Sequence, residues 1–90
     1  MAMDDQTLRK RLLFRSWHRG SREMDLILGG FAQCHLAVLD RDQLDRYDRL
    51  LENSDPDIYD WLTGRAPWPV GIGEHLRRLL IASLAKDGNP

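Results

Sequence analysis

Met24, Ile27, Leu28, Phe31, His35 and Val38 follow one another at spacings of three and four residues. On a helix of 3.6 residues per turn those positions form one apolar stripe, and a stripe this long must be covered by other elements. The spacing predicts a helix over about 22–39. Ser21 stands where a hydroxyl can cap its first turn, and Glu23 lies in that turn, where a helix end favours negative charge. Gly29-Gly30 falls in its interior. Each such glycine costs about 1 kcal/mol relative to alanine. Keeping both implies another helix or a partner pressed close to the backbone; a kink or an early helix end near residue 30 is the alternative.

The flanking segments carry the same period. Leu8/Leu12 and Leu13/Trp17 are i,i+4 pairs on a helix over about 5–17, with Asp4 and Asp5 at its start and Gly20 ending it. Asp40 and Gln43 have the spacing of a capping box and open a third helix that turns Leu44, Tyr47, Leu50 and Leu51 inward. After Asn53-Ser54, Asp55-Pro56 reads as an N-cap followed by proline at the first helical position. The short fourth helix buries Ile58, Trp61 and Leu62 and ends at Gly64. Pro67 and Pro69 exclude helix over 65–71. Ile72, Leu76, Leu79, Leu80 and Leu84 then mark a fifth helix over about 73–86. The expected fold is all-α, a compact single-domain bundle of five helices over 1–90, with a core of about 7–85 and frayed ends at 1–5 and 87–90. Met24, Ile27, Leu28, Phe31, Leu51, Trp61, Leu76 and Leu80 are its expected core.

Ninety residues make one domain. A chain of this size buries about 60–65% of its unfolded surface, enough for one modest core and too little for a deep catalytic cleft. No apolar run approaches the ~20 residues of a membrane span, so membrane insertion is not expected. The acidic, polar start 1–6 resembles neither a secretory signal nor an Arg-rich transit peptide, which favours a bacterial cytoplasm over a mitochondrial matrix. The single cysteine, Cys34, fits a reducing compartment and is expected to be a small buried or half-buried hydrophobe. Net charge is −1 but uneven: residues 1–22 carry +4 and the remainder −5. That asymmetry suggests a partner that is acidic near the first helix.

The candidate site is the corner between the first two helices: Trp17, His18, Arg19, Gly20, Ser21, Arg22 and Glu23, with Asp25 following. It offers two bare cations, a glycine at a backbone turn and a carboxylate four residues after Arg19, which is a surface for touching another protein. Read blandly, Arg19 and Glu23 are an i,i+4 pair and Gly20 is a helix cap. His18, His35 and His75 are 17 and 40 residues apart and lack zinc-ligand spacing, so no metal site is expected. Cys34 and His35 are neighbours on a helix and diverge by about 100°, which is not a nucleophile–base arrangement. Neither Gly29-Gly30 nor Gly71-Ile72-Gly73 has the strand–turn–helix setting of a phosphate loop. Enzymatic activity is not expected. A nucleic-acid-binding or regulatory interaction module using the basic first helix is the alternative, although the pI near 6.3 is far from that of such modules.

The combined pattern resembles one family. Arg19-Gly20-Ser21-Arg22-Glu23, Asp25-Leu26, Leu28, Phe31, Leu50-Leu51-Glu52 and Asp55-Pro56-Asp57-Ile58-Tyr59-Asp60-Trp61-Leu62 together resemble the succinate dehydrogenase assembly factors that promote covalent FAD attachment. The resemblance spans about 7–85. It implies a five-helix bundle, a chaperone-like role and binding to the flavoprotein subunit of succinate dehydrogenase, with that of fumarate reductase as a further candidate client. It implies no tightly bound cofactor, because the FAD belongs to the client. Arg19, Gly20 and Glu23 take the family's motif positions. Where the family commonly has methionine after the glycine, this chain has Ser21.

Overall fold

The computed structural model describes residues 3–87, with side chains described for 3–84. Its helices are α1 (Asp5–Trp17), α2 (Arg22–His35), α3 (Arg41–Leu50), α4 (Asp55–Leu62) and α5 (Glu74–Asp87), and no described residue is in a strand. The all-α fold class is therefore as the periodicities imply.

Local chemistry starts each of the first four helices. Asp4, Ser21, Asp40 and Ser54 all have extended backbone, and each side chain accepts a hydrogen bond from the amide three residues on. These contacts satisfy donors that the helix itself leaves unpaired. At Asp4 the Thr7 amide also holds the carboxyl below its ordinary pKa. The fourth cap differs from the sequence expectation: Ser54, not Asp55, is the N-cap, which places Asp55 and Pro56 in the first turn. The hydroxyl takes the capping role, and the Asp55 carboxylate is left available for another partner.

α2 ends at His35, not near Leu39, and continues as a single 3-10 turn, Leu36–Val38. Three residues per turn shifts the register. Leu36 and Leu39 become buried while Val38, expected on the apolar stripe, is 76% exposed. The Arg9 guanidinium fixes the turn by donating to the carbonyls of Leu36 and Leu39, both at 2.9 Å. Cys34 lies off the buried stripe and is exposed, contrary to its expected buried or half-buried position. α5 is shifted by one residue from the expected span, and Asp87 is its last residue. Residues 88–90 of the expected frayed end, and residues 1–2 of the other, lie outside the described residues.

The core joins Leu8 and Leu12 of α1, Met24, Leu28 and Phe31 of α2, Leu44, Tyr47 and Leu50 of α3, Ile58 and Leu62 of α4, and Leu76 and Leu80 of α5. Of the expected core, Ile27 and Trp61 are only partly buried. Trp61 sits at the edge because α4 is short, and its ring faces Trp68 of the proline segment at 6.2 Å. One buried polar cluster crosses the core. Ser16 Oγ donates to the Leu12 carbonyl at 2.7 Å, so Tyr47 donates its hydroxyl proton to Ser16 Oγ at 2.6 Å. α2 is the central element, packed on α1 along one side and on α5 along another. The position of the α1–α2 corner is thus tied to the core through both helices.

Candidate functional site

The corner forms because α1 must stop and α2 must run back along it. The amide of His18 closes α1 on the Arg15 carbonyl at 3.3 Å, and Ser21 caps α2 by accepting from the Met24 amide at 3.2 Å. Only Arg19 and Gly20 separate those caps. Gly20 has φ +105°, and a Cβ built there would meet nothing within 4 Å. Its requirement for glycine is conformational, not steric. The space beside it is open.

Trp17 locks the corner to α2. A Cβ on Gly29 would fall 2.2 Å from Cδ2 of Trp17, so the indole lies directly on the glycine backbone. This is the close neighbour that the interior glycine implied, and α2 runs through Gly29-Gly30 without ending there. Trp17 is half-buried; His18 is exposed, with Nδ1 2.7 Å from the Phe14 carbonyl and its ring stacked on Phe14 at 4.0 Å. A carbonyl only accepts, so in the neutral ring Nδ1 carries the proton and Nε2 does not.

Arg19 is not the bare cation expected. Its side chain is 11% exposed, and Nε pairs with Asp55 at 2.8 Å. Its two terminal nitrogens donate to the carbonyls of Leu51 at 2.6 Å and Asn53 at 2.7 Å. Its amide donates to the Asp25 carboxylate in the first turn of α2. The i,i+4 pair with Glu23 is not formed, because Arg19 precedes α2 and turns away from it. Ser21, Arg22 and Glu23 are exposed, and among the described residues neither Arg22 nor Glu23 is in an ion pair. Of the sequence candidates, Arg19 and Asp25 are thus joined in one hydrogen-bonded unit, Trp17 serves the packing beneath it, and His18, Gly20, Ser21, Arg22 and Glu23 make the outer surface. Asp55 belongs to this unit and was missed as a site residue. Its sequence signals are its place in the Asp55-Pro56-Asp57 segment of the family pattern and the Ser54 hydroxyl before it, an equally good cap.

The basic first segment is likewise less outward than its charge suggests. Arg9 holds the two carbonyls after α2, Arg15 pairs with Asp48 of α3, and Arg19 pairs with Asp55. Lys10, Arg11 and Arg22 are exposed and in no ion pair among the described residues. Open grooves lie away from the corner, and two of them flank α1 and α3. One, of about 200 Å³, is lined by residues of α1 and the end of α2 and its 3-10 turn. The other, of about 470 Å³, lies between α3 and the 69–72 segment. None of the described helices is long and apolar enough to cross a membrane.

Comparison with known proteins gives a single family. A family model described as "Flavinator of succinate dehydrogenase" matches residues 10–82. The chain is 41% identical over 73 residues to the FAD assembly factor SdhE of Acetobacter pasteurianus, covering 81% of this chain and 67% of that protein. It is 48% identical over 64 residues to the mitochondrial succinate dehydrogenase assembly factor 2 of Aspergillus terreus, covering 71% of this chain and 22% of the relative. With the protein of that name from Dictyostelium discoideum the identity is 44% over 75 residues, covering 83% and 53%. The chain thus spans about a quarter of the Aspergillus relatives' length and about half of the Dictyostelium one. A match over residues 10–82, which contains the whole α1–α2 corner and the Asp55 turn, means that the chain belongs to the family of succinate dehydrogenase flavinators.

Proposed function

We propose that this chain binds the flavoprotein subunit of succinate dehydrogenase through the α1–α2 corner and promotes covalent attachment of FAD to it. The observation that carries this reading is Glu23: a carboxylate in the first turn of α2, exposed, with no ion-pair partner among the described residues, beside the open space around Gly20. An exposed carboxylate beside that open space supports use by a partner. The flavoprotein subunit of fumarate reductase is a further candidate client. Similar proteins include mitochondrial ones and a bacterial one, so bacterial cytoplasm and mitochondrial matrix both fit the comparisons.

In this reading the chain supplies no acid, base or nucleophile and holds no cofactor tightly. It binds the client conformation in which the receiving side chain faces the isoalloxazine ring, and so shifts the population towards it. Holding the two reacting groups in contact is what makes a slow bond formation feasible. The nucleic-acid alternative is disfavoured by the inward use of Arg9, Arg15 and Arg19.

The test is co-expression with the flavoprotein subunit, followed by denaturation and measurement of flavin fluorescence that stays with the polypeptide. Wild type is expected to raise covalent flavin well above the level without it. Glu23→Ala is expected to fold normally and lose most of that increase, because loss of a charged contact at a desolvated interface costs about 2–5 kcal/mol of binding. Equal covalent flavin with and without the wild-type chain would refute the proposal.

A further inference from the structure

We infer that Arg19 works from inside the corner as a positioning residue, paired with Asp55, and does not itself touch the client. The inference rests on the flavoprotein-binding reading above and assigns the motif's first charge a different task from its last.

Three observations point the same way. The first is burial: the Arg19 side chain is 11% exposed, against the open setting of Glu23. The second is saturation. All three guanidinium nitrogens are engaged, one on a carboxylate and two on main-chain carbonyls. Offering this group to a partner would break charge-assisted bonds and leave the Leu51 and Asn53 carbonyls without it. The third is where those acceptors lie. Leu51 is the C-cap of α3, Asn53 follows it, and Asp55 opens α4. A cation at the end of α3 and a carboxylate at the start of α4 each suit the local helix dipole. The Arg19 amide meanwhile holds Asp25 in the first turn of α2.

One residue therefore ties the starts of α2 and α4 to the end of α3. Gly20 follows it directly and Glu23 stands in the next turn, and Gly20, with no side chain, has the fewest steric limits on its backbone. Without the strut, the left-handed backbone at Gly20 is fixed only by the caps on either side, and the Glu23 surface is free to reorient. The strut also explains why the Arg-Gly motif and the Asp-Pro-Asp segment occur together in this sequence, although about thirty-five residues separate them: Arg19 meets the first aspartate of that segment.

The proposal separates cleanly from direct contact by a double-mutant cycle. Arg19→Ala, Asp55→Ala and the double variant are compared for affinity to the flavoprotein subunit and for covalent flavin yield, with circular dichroism to verify folding. Amide hydrogen exchange over residues 20–25 is followed in the isolated chain. A strut predicts that Asp55→Ala weakens client binding by about tenfold although Asp55 is no contact, and that Arg19→Ala costs less in the Asp55→Ala background than alone, since members of one network are non-additive. Arg19→Lys, which keeps the charge but cannot span three acceptors, is expected not to restore binding. Exchange over 20–25 should rise in every variant.

Asp55→Ala with wild-type affinity beside an inactive Arg19→Ala would make Arg19 a contact residue and overturn the inference. Unchanged exchange over 20–25 in folded Arg19→Ala would overturn it as well. If the wild-type chain does not bind the flavoprotein, the functional reading fails by itself, and the exchange measurement still decides whether Arg19 orders the corner.

Discussion

Tyr47 and Gly20 show how single residues carry separate loads in this small domain. Tyr47 is fully buried, and that burial pushes its phenol pKa up. A raised folded-state pKa means that the protonated phenol favours the native state. Its contribution is complete below the ordinary value near 10 and is lost as pH rises through the folded value. Thermal melts between pH 7 and about 11 should show wild type losing stability above pH 10, with a shallower decline for Tyr47→Phe. At neutral pH the same substitution removes a buried hydrogen bond and should cost about 1 kcal/mol, a melting shift of roughly 4–8 °C in a domain of this size. Gly20 makes the opposite kind of demand. Any side chain there meets φ +105°, which costs on the order of 1–3 kcal/mol, yet it meets no atoms. Gly20→Ala and Gly20→Arg should therefore lower the melting temperature similarly. If the open space is the docking surface, only the arginine variant should then lose client binding and flavinylation in protein that remains folded. Equal activity of the two variants would remove Gly20 from the interface.

At the scale of elements, the α1–α2 contact is set by one indole on one glycine. Adding a methyl at Gly29 forces Trp17 aside, because the new Cβ would sit 2.2–2.6 Å from three ring atoms. Gly29→Ala should destabilise by about 1–3 kcal/mol despite alanine's better helix propensity. Trp17→Phe in the same chain should recover part of the loss, which a double-mutant cycle on melting curves would read as non-additivity. The periodicities identified every helix because each apolar stripe is local and repeats several times. What they missed depends on choices that are not local. α2 and its successor share one apolar pattern, and only the Arg9 contacts to Leu36 and Leu39, about thirty residues away, distinguish a 3-10 turn from a continued helix. The α4 cap was misassigned by one residue because Ser54 and Asp55 are both good caps. The ion pair that employs Asp55 elsewhere lies in the tertiary structure.

For the whole molecule, the decisive quantity is how its charge is divided between inside and outside. The corner was legible as a place, since its glycine, caps and flanking charges are contiguous. Its internal wiring was not, because Arg19 finds its acceptors 32–36 residues away. The +4 of residues 1–22 therefore overstates the field a partner meets, for Arg15 and Arg19 are neutralised by Asp48 and Asp55 within the fold. Two consequences can be measured. With Lys10, Arg11 and Arg22 as the exposed cations of this segment, duplex DNA should be held weakly, with a log–log salt slope no steeper than about −3. A steep slope with submicromolar affinity at 150 mM salt would restore the nucleic-acid reading. For the client, outward charge on α1 and the carboxylate of Glu23 should act on different rates. Lys10→Glu with Arg11→Glu should slow association severalfold at low salt and converge with wild type at about 0.5 M, as screened steering does. Glu23→Ala should leave association nearly unchanged and speed dissociation at every salt concentration, because a contact made in the bound state is lost. If surface plasmon resonance instead finds Glu23→Ala altering only the association rate, the carboxylate steers the encounter and does not sit within the interface.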